Sequence, residues 1–134
     1  MMSRRAEAVA AKAAGRYNCA QAVACTYCDY AGIDEKTMEN LAAAFGAGMG
    51  TGQGTCGAIV GAGIVLGGFH KDRADAMLAM KTLVRTFEAC HSTVVCRELK
   101  GNGTARPLCA CNDCVGDAAE ILETLLAESG SPVK

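Results

Sequence analysis

Nine cysteines, Cys19, Cys25, Cys28, Cys56, Cys90, Cys96, Cys109, Cys111 and Cys114, are the residues of this 134-residue chain with the most chemistry to offer. Inert core positions are ordinarily filled by Leu, Ile and Val, so thiols at this density point to redox cycling or to iron–sulfur binding. The densest group is Cys109-Ala-Cys111-Asn-Asp-Cys114. Disulfide frameworks of small secreted domains use an even number of cysteines, and here the number is odd. A chain of this length also builds a core without staples. Both points favour a reducing, cytoplasmic setting.

An iron–sulfur cluster needs several thiolates converging on one point, with backbone N–H groups donating to the sulfurs. Helix N-termini meet both needs, because their free N–H groups and positive dipole end favour a thiolate. Cys19 follows Asn18, whose pairing with Gln21 three residues on reads as a capping box for a helix from Cys19 to about Ala31. Cys56 follows a glycine-rich loop and opens another helix, to about Phe69. Cys111 falls in the first turn of a last helix, four residues before Val115 on its inward face. Cys96 sits in a short helical turn over Val94 to Leu99 and is the expected fourth ligand, while Cys109 and Cys114 either substitute for Cys111 or assist it.

Helix phase separates the others. At about 100° per residue, Cys25 and Cys28 lie roughly 240° and 180° around from Cys19 and do not readily share its site; small residues filling a helix face is the reading preferred for them over a separate dithiol or second metal site. Cys90 is expected to be a core residue at a helix end.

The positioning elements read as an all-α, single-domain bundle of about five to six helices over residues 1–134, with a Gly-rich loop before the fourth. Apolar residues recur at helical spacing, there are two prolines, and no strand pattern is compelling. A first helix covers Arg4 to Ala14. A third, capped by Asp34, ends at Phe45, where Gly46 is expected in a left-handed C-terminal position. The fourth contains Gly57, Gly61, Gly63 and Gly67, which imply close backbone packing, a subunit contact or a cofactor. The fifth, Asp72 to about Cys90, sets Met77, Met80, Val84 and Phe87 on a core stripe. After a loop through Gly101, Gly103 and Pro107, the last helix turns Val115, Ala118, Leu122 and Leu125 inward.

Gly52-Gln-Gly54-Thr-Cys56-Gly57 has the form G-x-G-x-x-G but no preceding strand, so it is not read as a dinucleotide site. Gly50, Gly52, Gly54 and Gly57 are read instead as backbone wrapped around a sulfur site, with closely spaced N–H groups forming an anion nest. His70 and His91 are assigned to surface or capping roles, and no carboxylate pair is placed for acid–base chemistry. Net charge is −1 with no basic stripe, which argues against nucleic acid as a partner. Glu7 and Lys12 interrupt what would be the apolar part of a twin-arginine signal after Arg4-Arg5. The uncharged run Leu41 to Phe69 is broken by a polar glycine loop, and no membrane span is expected.

In order, Asn18-Cys19-Ala20-Gln21-Ala22-Val23, Cys56-Gly57-Ala58-Ile59-Val60-Gly61, Cys96-Arg97-Glu98-Leu99 with Gly101, and Cys111 with Val115 and Ala118 to Glu123 span most of the chain. This series resembles the redox-active C_GCAxxG_C_C family. The family's four key cysteines fall on Cys19, Cys56, Cys96 and Cys111. The split-Soret cytochromes c are similar over this region, and that resemblance implies an iron–sulfur centre held by the cysteines in a largely helical, dimeric protein; the first reading is accordingly a small iron–sulfur protein, [2Fe–2S] or [4Fe–4S], that acts as a homodimer and passes electrons to a redox partner. The chain departs from them in lacking Cys-x-x-Cys-His, since Asp29 follows Cys28 and Val115 follows Cys114, so no haem c is expected. Two other functions stay open. One is a cofactor-free dithiol protein cycling pairs such as Cys56 with Cys96 or Cys111 with Cys114. The other is a zinc-binding structural or carrier protein, although neither Cys-x-x-Cys has a second pair about 15–20 residues away.

Overall fold

Between Leu41 and Phe69 the chain carries no charge, and the second half of that stretch forms the helix against which four of the others pack. The structure, a computed structural model, describes residues 3–102 and 107–128. Gly103 of the predicted loop lies outside the described residues. The helices are α1 (Arg5–Ala13), α2 (Cys19–Thr26), α3 (Cys28–Ala31), α4 (Glu35–Ala42), α5 (Gly57–His70), α6 (Arg73–His91), α7 (Cys96–Leu99) and α8 (Cys111–Glu128). Among the described residues the fold is an all-α single domain of eight helices, six of them seven residues or longer. Among the described residues the β pairing is a single bridge, Thr55 with Val95, and no helix is long and apolar enough to cross a membrane.

Central helix α5 contacts α2, α3, α6 and α8, and its glycines set how near they come. A Cβ on Gly61 would lie 2.4 Å from the Ala20 carbonyl oxygen, and one on Gly68 would lie 2.6 Å from Ala31 Cβ. Backbone therefore meets backbone along this seam, and of the readings open for these glycines Gly61 answers to close packing. Ile59, Val65 and Leu66 are fully buried with Val23, Leu83, Phe87, Leu122 and Leu126. Each such side chain contributes about 1.5–3 kcal/mol by leaving water.

Local signals set the helix starts. Asn18 Oδ1 accepts from Gln21 N at 2.9 Å while Gln21 Oε1 accepts from Asn18 N at 3.0 Å. Asp34 accepts from Thr37 N, and Asp72 from Asp75 N, both at 3.0 Å. The adjacent arginines are used inside the fold. Arg4 donates to both Asp29 oxygens, at 2.7 and 2.9 Å, and to the Thr26 carbonyl; Arg5 donates to Asp117 and Glu120 on α8, each at 2.8 Å.

Four expectations change. The helix from Cys19 to Ala31 breaks at Tyr27 (φ −113°, ψ 18°), which turns fully inward and donates its hydroxyl to Glu123 on α8. Gly46 is extended (φ −69°, ψ 159°), not left-handed; it is small because its Cβ would meet Asn18 Cγ at 2.4 Å, and the left-handed residues are Ala47 to Gly50. Met77 is 66 % exposed rather than core, since α6 meets the bundle along Met80, Leu83 and Phe87 and Met77 stands about 120° around from Leu83. Cys90 is exposed rather than core, because the last turn of α6 opens on a shallow groove shared with Asp117, Glu120 and Thr124.

Candidate functional site

Two segments far apart in sequence meet at the Thr55–Val95 bridge. Cys56 N donates to Val94 O at 2.7 Å, Cys96 N to Gly54 O at 3.0 Å, and Arg97 N to Gly52 O at 2.7 Å. This pairing sets Cys56, the N-cap of α5, beside Cys96, the first residue of α7. The preceding loop closes over Cys96: Gly48 is left-handed (φ 60°), and a Cβ there would lie 2.6 Å from Cys96 Cβ. Cys19, the first residue of α2, rests on Gly57, whose Cβ would be 2.5 Å from Cys19 Sγ. A third segment joins when Cys109 N donates to Leu99 O at 3.1 Å, and α8 begins two residues later.

The result is one pocket lined by Cys19, Cys56, Cys96, Cys109, Cys111 and Cys114, with Leu99 and Lys100. All six thiols except Cys111, which is half-buried, are buried. The four residues expected from helix starts come together, and Cys109 and Cys114 join them. Cys25 and Cys28 do not. Cys25 is buried beside the Glu35 carbonyl, where burial pushes its thiol up to about 11; burial also raises Cys28. Cys25 is part of the hydrophobic core and Cys28 packs, partly buried, against it.

One thiol of the pocket is singled out electrostatically. The neighbouring Cys114 thiol lowers Cys56 most, backbone N–H groups of Ala58 and Ile59 add to it, and Lys100 supplies positive charge; together they outweigh burial and bring Cys56 down to about 7, while the Cys114 S–H itself lies 3.6 Å from the Cys109 carbonyl oxygen. The same pairing, with burial, holds Cys114 protonated far above the ordinary thiol range. Burial raises Cys96 and Cys109. Lys100 is itself raised, first by Cys111 and Cys96, so its charge is secure. Sequence reasoning passed over Lys100, although its place four residues after Cys96 puts both on one helix face.

The glycine loop acts differently from expectation. The N–H groups of Gly50, Gly52 and Gly54 donate to Gly46, Ala47 and Gly48 carbonyls, because the left-handed turn folds the loop on itself. The donors to a pocket sulfur are those of α5's first turn, and Gly54 contributes its carbonyl, to Cys96. Gly57 serves as a close-approach residue.

The pairing of Cys56 with Cys114 makes a test. In reduced, metal-free protein the ultraviolet thiolate absorbance of one cysteine is expected to rise with a midpoint near pH 7, as Cys56 ionises on the alkaline side. Cys114→Ala removes the largest cause of the shift, and the midpoint should move up toward the ordinary thiol range; an unmoved midpoint would assign the charge elsewhere. The depressed pKa also contributes stability that is complete above the unfolded thiol's range and lost as pH falls through about 7.

Helices converging through their N-termini on a buried set of thiols define an all-α, cysteine-rich protein with a redox-type site. The chain belongs to the family described as "Putative redox-active protein (C_GCAxxG_C_C)", whose model matches residues 17–125. That span holds all six pocket thiols and omits α1. No curated protein and no solved structure matches the chain significantly.

Proposed function

We propose that Cys19, Cys56, Cys96 and Cys111 hold an iron–sulfur cluster and that the protein transfers electrons to a partner protein. The observation that carries this reading is the convergence of thiols from α2, α5, α7 and α8 on one pocket. The donor set fits the group: thiolate ligands, a lysine opposing their charge, N–H donors at a helix start, and glycines 48 and 57 where a Cβ would strike Cys96 and Cys19. Such a cluster supplies one-electron transfer when bound. The space now enclosed is about 20 Å³, room for about one water. Loading therefore spreads the sulfurs, most easily at the rim formed by half-buried Cys111 and exposed Lys100.

Anaerobic purification followed by iron, acid-labile sulfide and zinc analysis and an absorption spectrum tests the proposal. Iron and sulfide in equal amounts with a visible chromophore are expected; colourless protein without sulfide after reconstitution would overturn it.

A second reading, a cofactor-free dithiol protein, is favoured by the pairing of Cys56, lowered toward neutrality, with Cys114 in one pocket. A low-pKa thiol beside a partner is what disulfide cycling requires. Loss of two free thiols on mild oxidation, abolished equally by Cys56→Ser and Cys114→Ala, would establish it. Under either reading the protein is proposed to act as a homodimer. The apolar face of α6 with Met77 and Leu78, 66 % and 65 % exposed, supports that pairing, and sedimentation as a monomer would refute it.

A further inference from the structure

At Cys109, which lines the pocket, three ligand atoms of different chemistry meet. His91 Nε2, in the last turn of α6, lies 2.8 Å from Asp117 Oδ2 on α8 and 3.9 Å from Cys109 Sγ. All three atoms lie within 4.8 Å of one another, with Cys109 buried and the other two half-buried. The pocket reading uses neither His91 nor Asp117.

Two ordinary explanations fall short. An ion pair accounts for His91 with Asp117 but not for a buried thiol approaching the same ring nitrogen. A nucleophile–base–orienter relay requires the acid and the thiol to use opposite nitrogens of the imidazole, one to fix the tautomer and one to take the proton. Here both sit at Nε2, so the arrangement converges on a point instead of passing a proton along a line. Convergence of this kind is how ligands surround an ion.

We propose that His91, Cys109 and Asp117 form a mononuclear binding site for a zinc-class divalent metal ion. Zinc–ligand bonds of about 2.0 Å to nitrogen or oxygen and 2.3 Å to sulfur place tetrahedral ligand atoms about 3.3–3.5 Å apart. The His91–Cys109 separation is close to that, and the His91–Asp117 hydrogen bond opens slightly when an ion replaces its proton. Thiolate, imidazole and carboxylate together suit zinc better than calcium or magnesium. Asp117 is already oriented, since Arg5 holds its other oxygen, Oδ1, at 2.8 Å, a supporting contact of the sort that aims ligating carboxylates. The groove between α6 and α8, lined by Cys90, Glu120 and Thr124, leads to the site and leaves a fourth position for water. Cys109 then belongs to this site and not to the cluster's ligand set. The inference stands whether or not a cluster occupies the neighbouring pocket.

Cobalt(II) titration of reduced, metal-free protein under anaerobic conditions tests it. Wild type is expected to bind an equivalent showing thiolate-to-cobalt charge transfer and the visible bands of a tetrahedral ion. His91→Gln and Asp117→Asn should each weaken that component at least ~100-fold, more than the 10–100-fold typical of supporting contacts. Cys19→Ser should retain it. Unchanged binding in both His91→Gln and Asp117→Asn, or loss in Cys19→Ser alone, would overturn the proposal by placing the metal in the six-thiol pocket. Should His91→Gln not fold, judged by helical circular dichroism, Asp117→Asn carries the same comparison. Iron and sulfide content after reconstitution should be unaffected by either variant, which separates failure of this site from failure of the cluster.

Discussion

Cys56→Ser is expected to reduce the iron and sulfide content and the visible absorbance of anaerobically reconstituted protein to background, while Cys25→Ser leaves all three unchanged. Cys56 is a buried residue of the pocket lining. It is the pocket thiol whose pKa is drawn down, to about 7, and it is tied to Cys96 through the Thr55–Val95 bridge. Ser keeps the size of the side chain but is a poor ligand for iron, so binding should fall by more than the 10–100-fold seen when a ligand's supporting contact is removed. Misfolding does not provide a ready alternative cause. Cys56 is the N-cap of α5 and makes no side-chain cap bond, whereas Ser is among the preferred N-cap residues and substitution there supports the helix start. Helical circular dichroism of the metal-free variant should match wild type. An unchanged spectrum in reconstituted Cys56→Ser would remove Cys56 from the ligand set. Cys114→Ala extends the comparison: a cluster held by the other four thiols survives it, and a Cys56–Cys114 dithiol does not.

Gly61→Val should lower stability by about 3 kcal/mol, the upper part of the range for overpacking a tight interface. The first added carbon would already lie 2.4 Å from the Ala20 carbonyl, a backbone atom that moves only if α2 and α5 separate. β-branching adds a second carbon in the same space. For a domain of this size the midpoint of thermal unfolding should fall by roughly 10 °C. Because α2 carries Cys19 in its first position, spreading the pair also withdraws a proposed ligand, and cluster content should fall with stability. Gly67→Ala is the contrasting case. A Cβ at Gly67 meets nothing within 4 Å, so only helix propensity acts, and the variant should be more stable by about 0.5–1 kcal/mol. Equal melting temperatures for the two variants would show that the Gly61 seam is not closely packed.

Much of the architecture was legible because its causes are local. Asn18, Asp34 and Asp72 stand where the helices begin, and capping is decided by residues three apart. The inward face of α8 was readable from its period, with Val115, Ala118, Leu122 and Leu125 buried. Legibility failed where a neighbouring element decided the outcome. Met77 satisfies helical spacing yet is exposed, because α5 covers only part of α6. Gly46 was read for its backbone freedom and is in fact small to admit Asn18. Tyr27 breaks a helix that its sequence would continue, reaching a carboxylate 96 residues away.

For the site itself, the sequence alone determined that Cys19, Cys56, Cys96 and Cys111 stand at helix starts and that Cys25 faces elsewhere on α2, whereas Cys28, read in phase with that helix, begins α3 instead. Helix phase and the dipole at a helix N-terminus are properties of a few consecutive residues. Only the tertiary structure decided that Cys114 lines one pocket with Cys56 and that Lys100 faces the thiols, that the loop glycines bond to carbonyls of their own loop and that Cys109 approaches His91. Those outcomes depend on what lies opposite each side chain. A helical period gives the direction in which a residue points, and long-range packing gives what it meets there.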